Sequence, residues 1–131
     1  MFLTHHSIRL ACEIAEKHVS SWRTHCLGIK EQMTELVLEL GGSVIGENTS
    51  PFVINFYIPG VNSEATIDML KDTVAISNGS ACTSTSYKPS HVLSAMDLSD
   101  DTITGSMRVS WSHMTNGIPF ESLKSRLLKL L

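Results

Sequence analysis

The chain has little of what marks several protein classes. It has three cysteines, an odd and low count that argues against a disulfide framework and for a reducing compartment. Its longest apolar stretch, residues 52–58, is broken by Asn55 and bounded by Pro51 and Pro59, so it is too short to span a membrane. The N-terminus lacks the basic start and apolar run of a signal peptide. We therefore expect a soluble, cytoplasmic protein without membrane contact.

Basic residues are too few and too scattered to form a nucleic-acid surface. The 131 residues include 10 Lys and Arg against 13 Asp and Glu, giving a net charge of −3. Direct binding to nucleic-acid phosphates needs a cationic face, so it is not expected. The six histidines lack metal-ligand spacing with a third ligand, and no metal site is expected. The length suits one compact domain over residues 1–131.

A regular apolar pattern predicts one long helix at the start of the chain. Apolar residues recur at alternating intervals of four and three over residues 8–40, as on one face of a helix. Gly28 is a candidate kink or break, and the glycine pair at 41–42 is the candidate end. Cys12 and Cys26 share the apolar face, so both are expected to be buried. A domain of this size cannot cover so long a helix, and the face is expected to pack against a second copy or another domain.

The rest of the chain mixes short strands and short helices. Met107, Val109 and Trp111 should lie on one face of a strand, with Arg108 and Ser110 on the other. These patterns predict an α+β fold, with a short sheet packed against helices and a long N-terminal helix. Strands are predicted at 43–45, 52–57, 73–76 and 106–111, and helices at 63–71 (capped by Ser63), 90–96 (capped by Ser90), after Ser99, and after Pro119.

One segment differs from these packed elements. Residues 77–86 are rich in Ser, Thr, Gly and Asn, a composition typical of an exposed loop. Cys82 lies within it, and Ala81 is its only apolar neighbour. A thiol that delivers sulfur must be reachable, because the thiolate is the nucleophile. On composition alone, an inert loop that happens to contain a cysteine also fits.

The motif around Cys82 resembles the catalytic loop of the cysteine desulfurases, which are class V, fold-type I enzymes that depend on pyridoxal phosphate. Segments at 4–8, 51–57, 87–93 and 106–110 match the same family in the same order. The resemblance implies that residues 1–131 are the small C-terminal domain of such an enzyme, without the large domain that binds pyridoxal phosphate. The motif itself reads Gly79, Ser80, Ala81, Cys82, Thr83, Ser84.

The resemblance also implies residue roles. Cys82 would attack the sulfur of the substrate L-cysteine, held as an aldimine on the cofactor, to leave alanine and a persulfide that passes to a sulfur-acceptor protein. Arg108 would hold the substrate's carboxylate through two parallel hydrogen bonds. From the residues alone, a surface arginine in an ion pair is the alternative for Arg108. The complete enzyme is expected to be a homodimer.

The sequence departs from the family pattern in two places. Neither Lys71 nor Lys88 has the sequence context of the family's cofactor lysine, so the chain alone is expected to bind no pyridoxal phosphate and to be inactive. Residues 111–115 differ from housekeeping members. Together with Ser77 and Asn78 before Gly79, they resemble the branch linked to DNA phosphorothioation, while iron–sulfur and thio-cofactor pathways stay open. A stand-alone persulfide relay and a helical interaction module with an inert loop are the competing interpretations.

Overall fold

The computed structural model describes residues 2–47, 49–78 and 90–131, with side chains from His6 onward. The predicted α+β class is confirmed: a four-stranded antiparallel sheet, in the order β1-β2-β4-β3, is covered by helices. The strands are β1 (Ser43–Val44), β2 (Val53–Tyr57), β3 (Ser77–Asn78) and β4 (Met107–Ser110). The helices are α1 (Phe2–Glu39), α2 (Ser63–Leu70), α3 (His91–Ala95), α4 (Asp100–Gly105) and α5 (Phe120–Leu127).

Helix α1 has 38 residues, so it is about 57 Å long at the usual rise per residue. It continues through Gly28 without interruption, and the break considered at that residue does not occur. It ends where the sequence predicts, at Gly41, whose φ of 73° is the left-handed conformation. The Gly41 amide donates to the Leu38 carbonyl and the Gly42 amide to the Val37 carbonyl, which is the Schellman arrangement.

The main core lies between the C-terminal half of α1 and one face of the sheet. Alternation along β2 and β4 turns Ile54 and Phe56 of β2 and Met107 and Val109 of β4 inward, as predicted for β4. The Trp111 indole N–H donates to the Cys26 carbonyl at 3.1 Å and to the Pro51 carbonyl at 2.9 Å, which joins α1 to the sheet. The buried residues of this core include Cys26, Ile29, Met33, Leu36, Val37, Ile54, Phe56, Met107, Val109, Leu123 and Leu127.

A second, smaller apolar cluster packs near Tyr57, whose side chain lies on the opposite face of the sheet from the main core. It consists of Ile45, Leu93 and Ile103, with Tyr57 and Leu98 at its edge. Helices α3 and α4, which cover this end of the sheet, begin at the predicted caps: Ser90 accepts from the Leu93 amide and Ser99 from the Thr102 amide.

Two local predictions were wrong. Asn62, not Ser63, caps α2: its side chain accepts from the Ala65 amide at 2.9 Å, while Ser63 is buried in the first turn and donates to the Thr104 carbonyl. The strand predicted at 73–76 is not formed; β3 begins at Ser77, because only Ser77 and Asn78 pair with β4. Val74 and Ile76 instead pack against the main core from outside the sheet.

Half of the apolar face of α1 is uncovered. Cys26 and the residues that follow it on this face are buried, whereas Ile8 and Val19 are 63% and 52% exposed. The N-terminal half of the helix therefore extends beyond the domain. No helix in the described part of the chain is both long and apolar enough to cross a membrane.

Candidate functional site

The segment that carries the predicted nucleophile is flanked by two well-defined elements. Cys82 and its neighbours Gly79, Ser80, Ala81, Thr83 and Ser84 lie outside the described residues. Strand β3 ends at Asn78, immediately before this segment, and Ser90, the cap of α3, follows it. The two ends of the segment are therefore attached to the edge of the sheet and to the start of a helix.

Arg108 lies at the centre of a row of polar residues that crosses the sheet. It pairs with Asn55 on β2 and with Ser77 on β3. Partners in register point to the same face, so all three side chains lie on the face away from the main core. The Arg108 side chain is exposed, as predicted from the alternation along β4. We call Asn55, Arg108 and Ser77 the cross-strand row.

The spacing of hydrogen bonds shows how close Asn55 and Arg108 stand. The Trp111 amide donates to the Phe52 carbonyl at 3.0 Å, and the Asn55 carbonyl accepts from the Ile45 amide on the β1 side at 2.8 Å. With the observed register, Asn55 and Arg108 are then a non-hydrogen-bonded pair, in which the Cα atoms are about 4.5 Å apart and the side chains are closest. The two side chains are direct cross-strand neighbours.

Asn55 carries an unsatisfied polar atom. Its Oδ1 is buried and accepts no hydrogen bond within the described part of the chain, although the residue as a whole is half-buried. A buried amide oxygen without a donor is costly, by about 1–3 kcal/mol, and such groups deserve an explanation. Sequence reasoning treated Asn55 only as an interruption of an apolar run. Its outward position in β2, one strand from Arg108, was the signal that it lines a polar surface.

Arg108 forms no ion pair with any residue that the structure describes. The ion pairs found there join Arg9 to Glu13, Lys71 to Asp68 and Lys124 to Glu39, all at the surface. The alternative in which Arg108 is a surface ion-pair residue therefore has no support from the described part of the chain. An exposed guanidinium without an acidic partner in the described ranges is suited to an external carboxylate.

The other two cysteines differ in environment, and one expectation was wrong. Cys26 is buried in the main core as predicted, with 0% of its surface exposed, and burial raises the pKa of its thiol. Cys12 is exposed, because the domain ends before the N-terminal half of α1 and leaves that part of the helix face uncovered. The periodicity correctly places both cysteines on one face of α1. It could not show that the rest of the domain packs against only the C-terminal half of that face.

Alkylation of the isolated chain should therefore separate these two thiols. We expect brief treatment under native conditions to label Cys12 readily and to leave Cys26 largely unmodified, because the thiolate reacts and Cys26 is both covered and held as a thiol. We also expect Cys82 to be labelled early, on the sequence interpretation of an exposed loop. Peptide mapping by mass spectrometry reads all three sites. Equal labelling of Cys26 and Cys12 before unfolding would contradict the packing of α1, and equal labelling in denaturant is the control.

Three of the described lysines do not suit a covalent attachment to pyridoxal phosphate. Lys30 donates to the Thr49 hydroxyl at 2.6 Å and to the Ser50 carbonyl at 2.9 Å, so its ammonium joins α1 to the segment between β1 and β2. Lys71 and Lys124 are bonded to Asp68 and Glu39, and the bond to Glu39 raises the pKa of Lys124. A Schiff-base lysine must instead lose its proton to react. These three lysines therefore do not fit the cofactor, and Lys88 lies outside the described residues.

Histidines and acidic residues form no evident metal site. Within residues 6–47, 49–78 and 90–131, no group of three or more His, Cys, Asp or Glu side chains is placed to hold a metal ion. Two histidines instead flank an aromatic ring: His113 stacks on Trp22 with centroids 3.9 Å apart, and His18 stacks on the same ring at 5.8 Å.

The unusual segment at 111–115 has a packing role. Trp111 donates to two carbonyls in the core, and His113 stacks on Trp22 of α1. The His25 imidazole Nε2 also lies 3.0 Å from the Thr115 carbonyl oxygen. These contacts fix the chain after β4 against the middle of α1.

The chain is similar to proteins named cysteine desulfurases. Cysteine desulfurase IscS of Vibrio atlanticus is 32% identical over 108 residues, and the cysteine desulfurase of Gluconacetobacter diazotrophicus is 34% identical over 108 residues. Among solved structures, a NifS-like protein from Rickettsia africae shares the fold, with a TM-score of 0.67 at 19% identity over 92% of this chain. No known family profile matches the chain.

The similarity covers much of this chain but little of each relative. The matched region is 80% of this chain and 26% of the Vibrio protein, and 79% of this chain and 27% of the Gluconacetobacter protein. The structural match covers 32% of the Rickettsia chain. The chain thus spans about a quarter of the length of the curated relatives it matches. Its homologues are cysteine desulfurases, and it corresponds to one part of them.

Proposed function

We propose that this chain is the small C-terminal domain of a cysteine desulfurase that takes sulfur from L-cysteine, releases L-alanine and carries the sulfur as a persulfide on Cys82. The observation that supports this most is the pairing of Ser77 with Arg108. It sets the strand that leads into the Cys82 segment beside the residue that the resemblance assigns to the substrate's carboxylate. The ordered similarity to named desulfurases supports the same assignment.

Chain connectivity makes joint action of Cys82 and Arg108 feasible. Cys82 is four residues beyond Asn78, so its Cα lies at most about 14 Å from that of Asn78. Asn78 pairs with Met107, the residue before Arg108. A thiol on this segment is therefore tethered close to the Arg108 guanidinium. We propose that Arg108 orients the substrate by its carboxylate while Cys82 approaches the substrate's sulfur.

The reaction divides into sulfur chemistry and carbon chemistry. In the proposed sulfur step, the Cys82 thiolate forms a sulfur–sulfur bond with the substrate as the substrate's carbon–sulfur bond breaks. The electron pair of the broken bond stays with the carbon fragment, which a proton converts to alanine. Pyridoxal phosphate would stabilise that fragment until it is protonated. We propose that a separate large domain of the complete enzyme holds that cofactor, and that this chain alone has no activity.

The uncovered half of α1 supports the need for a partner. Ile8 and Val19, which belong to the predicted apolar face, are both exposed along this part of the helix. Apolar side chains exposed on one face of a helix mark interaction sites in soluble proteins. We propose that the cofactor-binding domain covers this face and that the complete enzyme is a homodimer.

The destination of the sulfur is a further part of the proposal. We propose that the persulfide passes to a sulfur-acceptor protein in the cytoplasm. The resemblance of residues 111–115 favours DNA phosphorothioation as the pathway, with iron–sulfur or thio-cofactor assembly as the other destinations. Sulfur acceptors purified from each pathway would distinguish them by the rate at which each removes labelled sulfur.

The proposed function is tested by comparing the full-length protein with the isolated chain. We expect the full-length protein, loaded with pyridoxal phosphate, to release alanine and reducible sulfur from L-cysteine in equal amounts. The isolated chain should form neither product and should retain no cofactor absorbance after desalting. Retained absorbance would contradict the assignment of the cofactor to another domain, and an inactive full-length protein would contradict the proposed reaction.

A further inference from the structure

The outward face of the sheet holds a polar contact that the proposed roles of Cys82 and Arg108 do not use. Asn55 and Arg108 are a non-hydrogen-bonded cross-strand pair, the type in which side chains stand closest. Asn55 Oδ1 is buried, and no residue that the structure describes donates a hydrogen bond to it. The Asn55 side-chain oxygen therefore stands beside the Arg108 side chain, which carries five N–H donors.

We propose that Asn55 is a positioning residue for substrate binding: its Oδ1 accepts a hydrogen bond from the Arg108 guanidinium when that group binds the substrate's carboxylate. This inference rests on the proposed function of Arg108. A carboxylate takes two parallel N–H donors of the fork, so further N–H groups stay free to meet a second acceptor. Asn55 is the cross-strand neighbour on β2 with an acceptor to offer.

The surroundings of Asn55 explain why the oxygen has no other partner. The Ile45 amide already donates its hydrogen bond to the backbone carbonyl of Asn55, so it is not available to the side-chain oxygen. Ile45 belongs to the apolar cluster with Leu93 and Ile103, whose side chains offer no donor, and the Tyr57 hydroxyl at the edge of this cluster does not bond to Asn55 Oδ1. Across β4, Ser77 is the remaining member of the row, and its hydroxyl lies near the Arg108 carbonyl at 3.5 Å. The Arg108 side chain is thus the cationic donor next to Asn55.

A neutral oxygen at this place suits the task better than a charged one. A carboxylate beside Arg108 would form an ion pair and compete with the substrate's carboxylate for the same donors. An amide oxygen accepts one N–H, limits the rotation of a long side chain, and leaves the positive charge available to the substrate. The unsatisfied oxygen of Asn55 then destabilises the ligand-free state, and substrate binding removes this cost because Arg108 donates a hydrogen bond to the oxygen.

The test uses the full-length enzyme and four variants: Asn55→Val, Asn55→Asp, Arg108→Ala and the Asn55→Val/Arg108→Ala double variant. We expect Asn55→Val to raise KM for L-cysteine about tenfold, the change that follows loss of a hydrogen bond to a charged group, with kcat changed less than about twofold. In the double variant, Asn55→Val should add little to the effect of Arg108→Ala. The unfolding temperature of the Asn55→Val single variant should be unchanged or higher, because an unsatisfied oxygen has been removed.

Asn55→Asp keeps the size of the side chain and should also raise KM, by occupying the guanidinium. Ser110→Asp, which adds the same charge two residues along β4 on the same face, is its matched control and should leave KM nearly unchanged. Unchanged KM in Asn55→Val together with a lower unfolding temperature would overturn the inference and make Asn55 a structural residue. An unchanged KM in Arg108→Ala would instead contradict the proposed role of Arg108, and the role of Asn55 with it.

Discussion

Replacing Cys82 by serine in the full-length protein should abolish sulfur transfer while cofactor binding and folding stay intact. A serine hydroxyl is a far weaker nucleophile toward sulfur than a thiolate, and it cannot carry a persulfide. The expected loss is therefore complete within detection, not a partial reduction. Transfer of radiolabelled sulfur from L-cysteine to protein measures it, and cofactor absorbance shows that the variant is loaded.

The other two cysteines provide matched controls for this result. Cys12→Ser should be silent in transfer and nearly silent in stability, because Cys12 is exposed. Cys26→Ser should retain transfer but lose stability, by about 1–3 kcal/mol, because it places a hydroxyl in the main core. Normal sulfur transfer by Cys82→Ser would show that the nucleophile is another residue. Loss of transfer in all three variants would show damage that is not specific to the thiol.

Arg108→Ala is expected to have the second largest effect, with KM for L-cysteine raised on the order of 100-fold. Removing one partner of a bidentate charge pair costs roughly 2–5 kcal/mol, and each 1.4 kcal/mol is about tenfold in binding. Arg108→Lys should fall between the wild type and the alanine variant, because it keeps the charge and loses the paired donors. Steady-state kinetics measures all three proteins.

A matched control for Arg108 lies two residues along the same strand. Ser110 is exposed on the same face of β4, so Ser110→Ala should leave KM and stability nearly unchanged. Cysteamine, which lacks the carboxylate, provides a second control: its binding should be equally weak in the wild type and in Arg108→Ala. An L-cysteine KM that does not respond to Arg108→Ala would contradict carboxylate binding at this residue.

The features that the sequence could predict are those with local causes. The spacing of apolar residues and the Gly-Gly pair after Leu40 define α1 and its end, since periodicity and a left-handed glycine are local properties. The serine caps at Ser90 and Ser99 are correct for the same reason. The alternation in β4 places Arg108 outward, because successive residues of a strand face opposite sides.

The features that the sequence could not predict depend on tertiary contacts. Strand β3 has two residues, and its position depends on pairing with β4. The residues before it, 73–76, have the higher β-propensity, so the sequence alone predicts the strand there. Cys12 and Cys26 share one helix face, and only the extent of the domain separates their exposure. The unsatisfied oxygen of Asn55 becomes visible once the register of β2 and β4 is known.

The most direct measurement of the central claim is the mass of the peptide that contains Cys82 after the full-length protein meets L-cysteine. The loaded enzyme would be given one equivalent of L-cysteine, trapped with an alkylating agent, digested without reductant and analysed by mass spectrometry. The proposed function predicts that this peptide alone gains the mass of one sulfur atom, and that reductant removes it. Added sulfur on a peptide containing Cys12 or Cys26, with none on the Cys82 peptide, would contradict the claim.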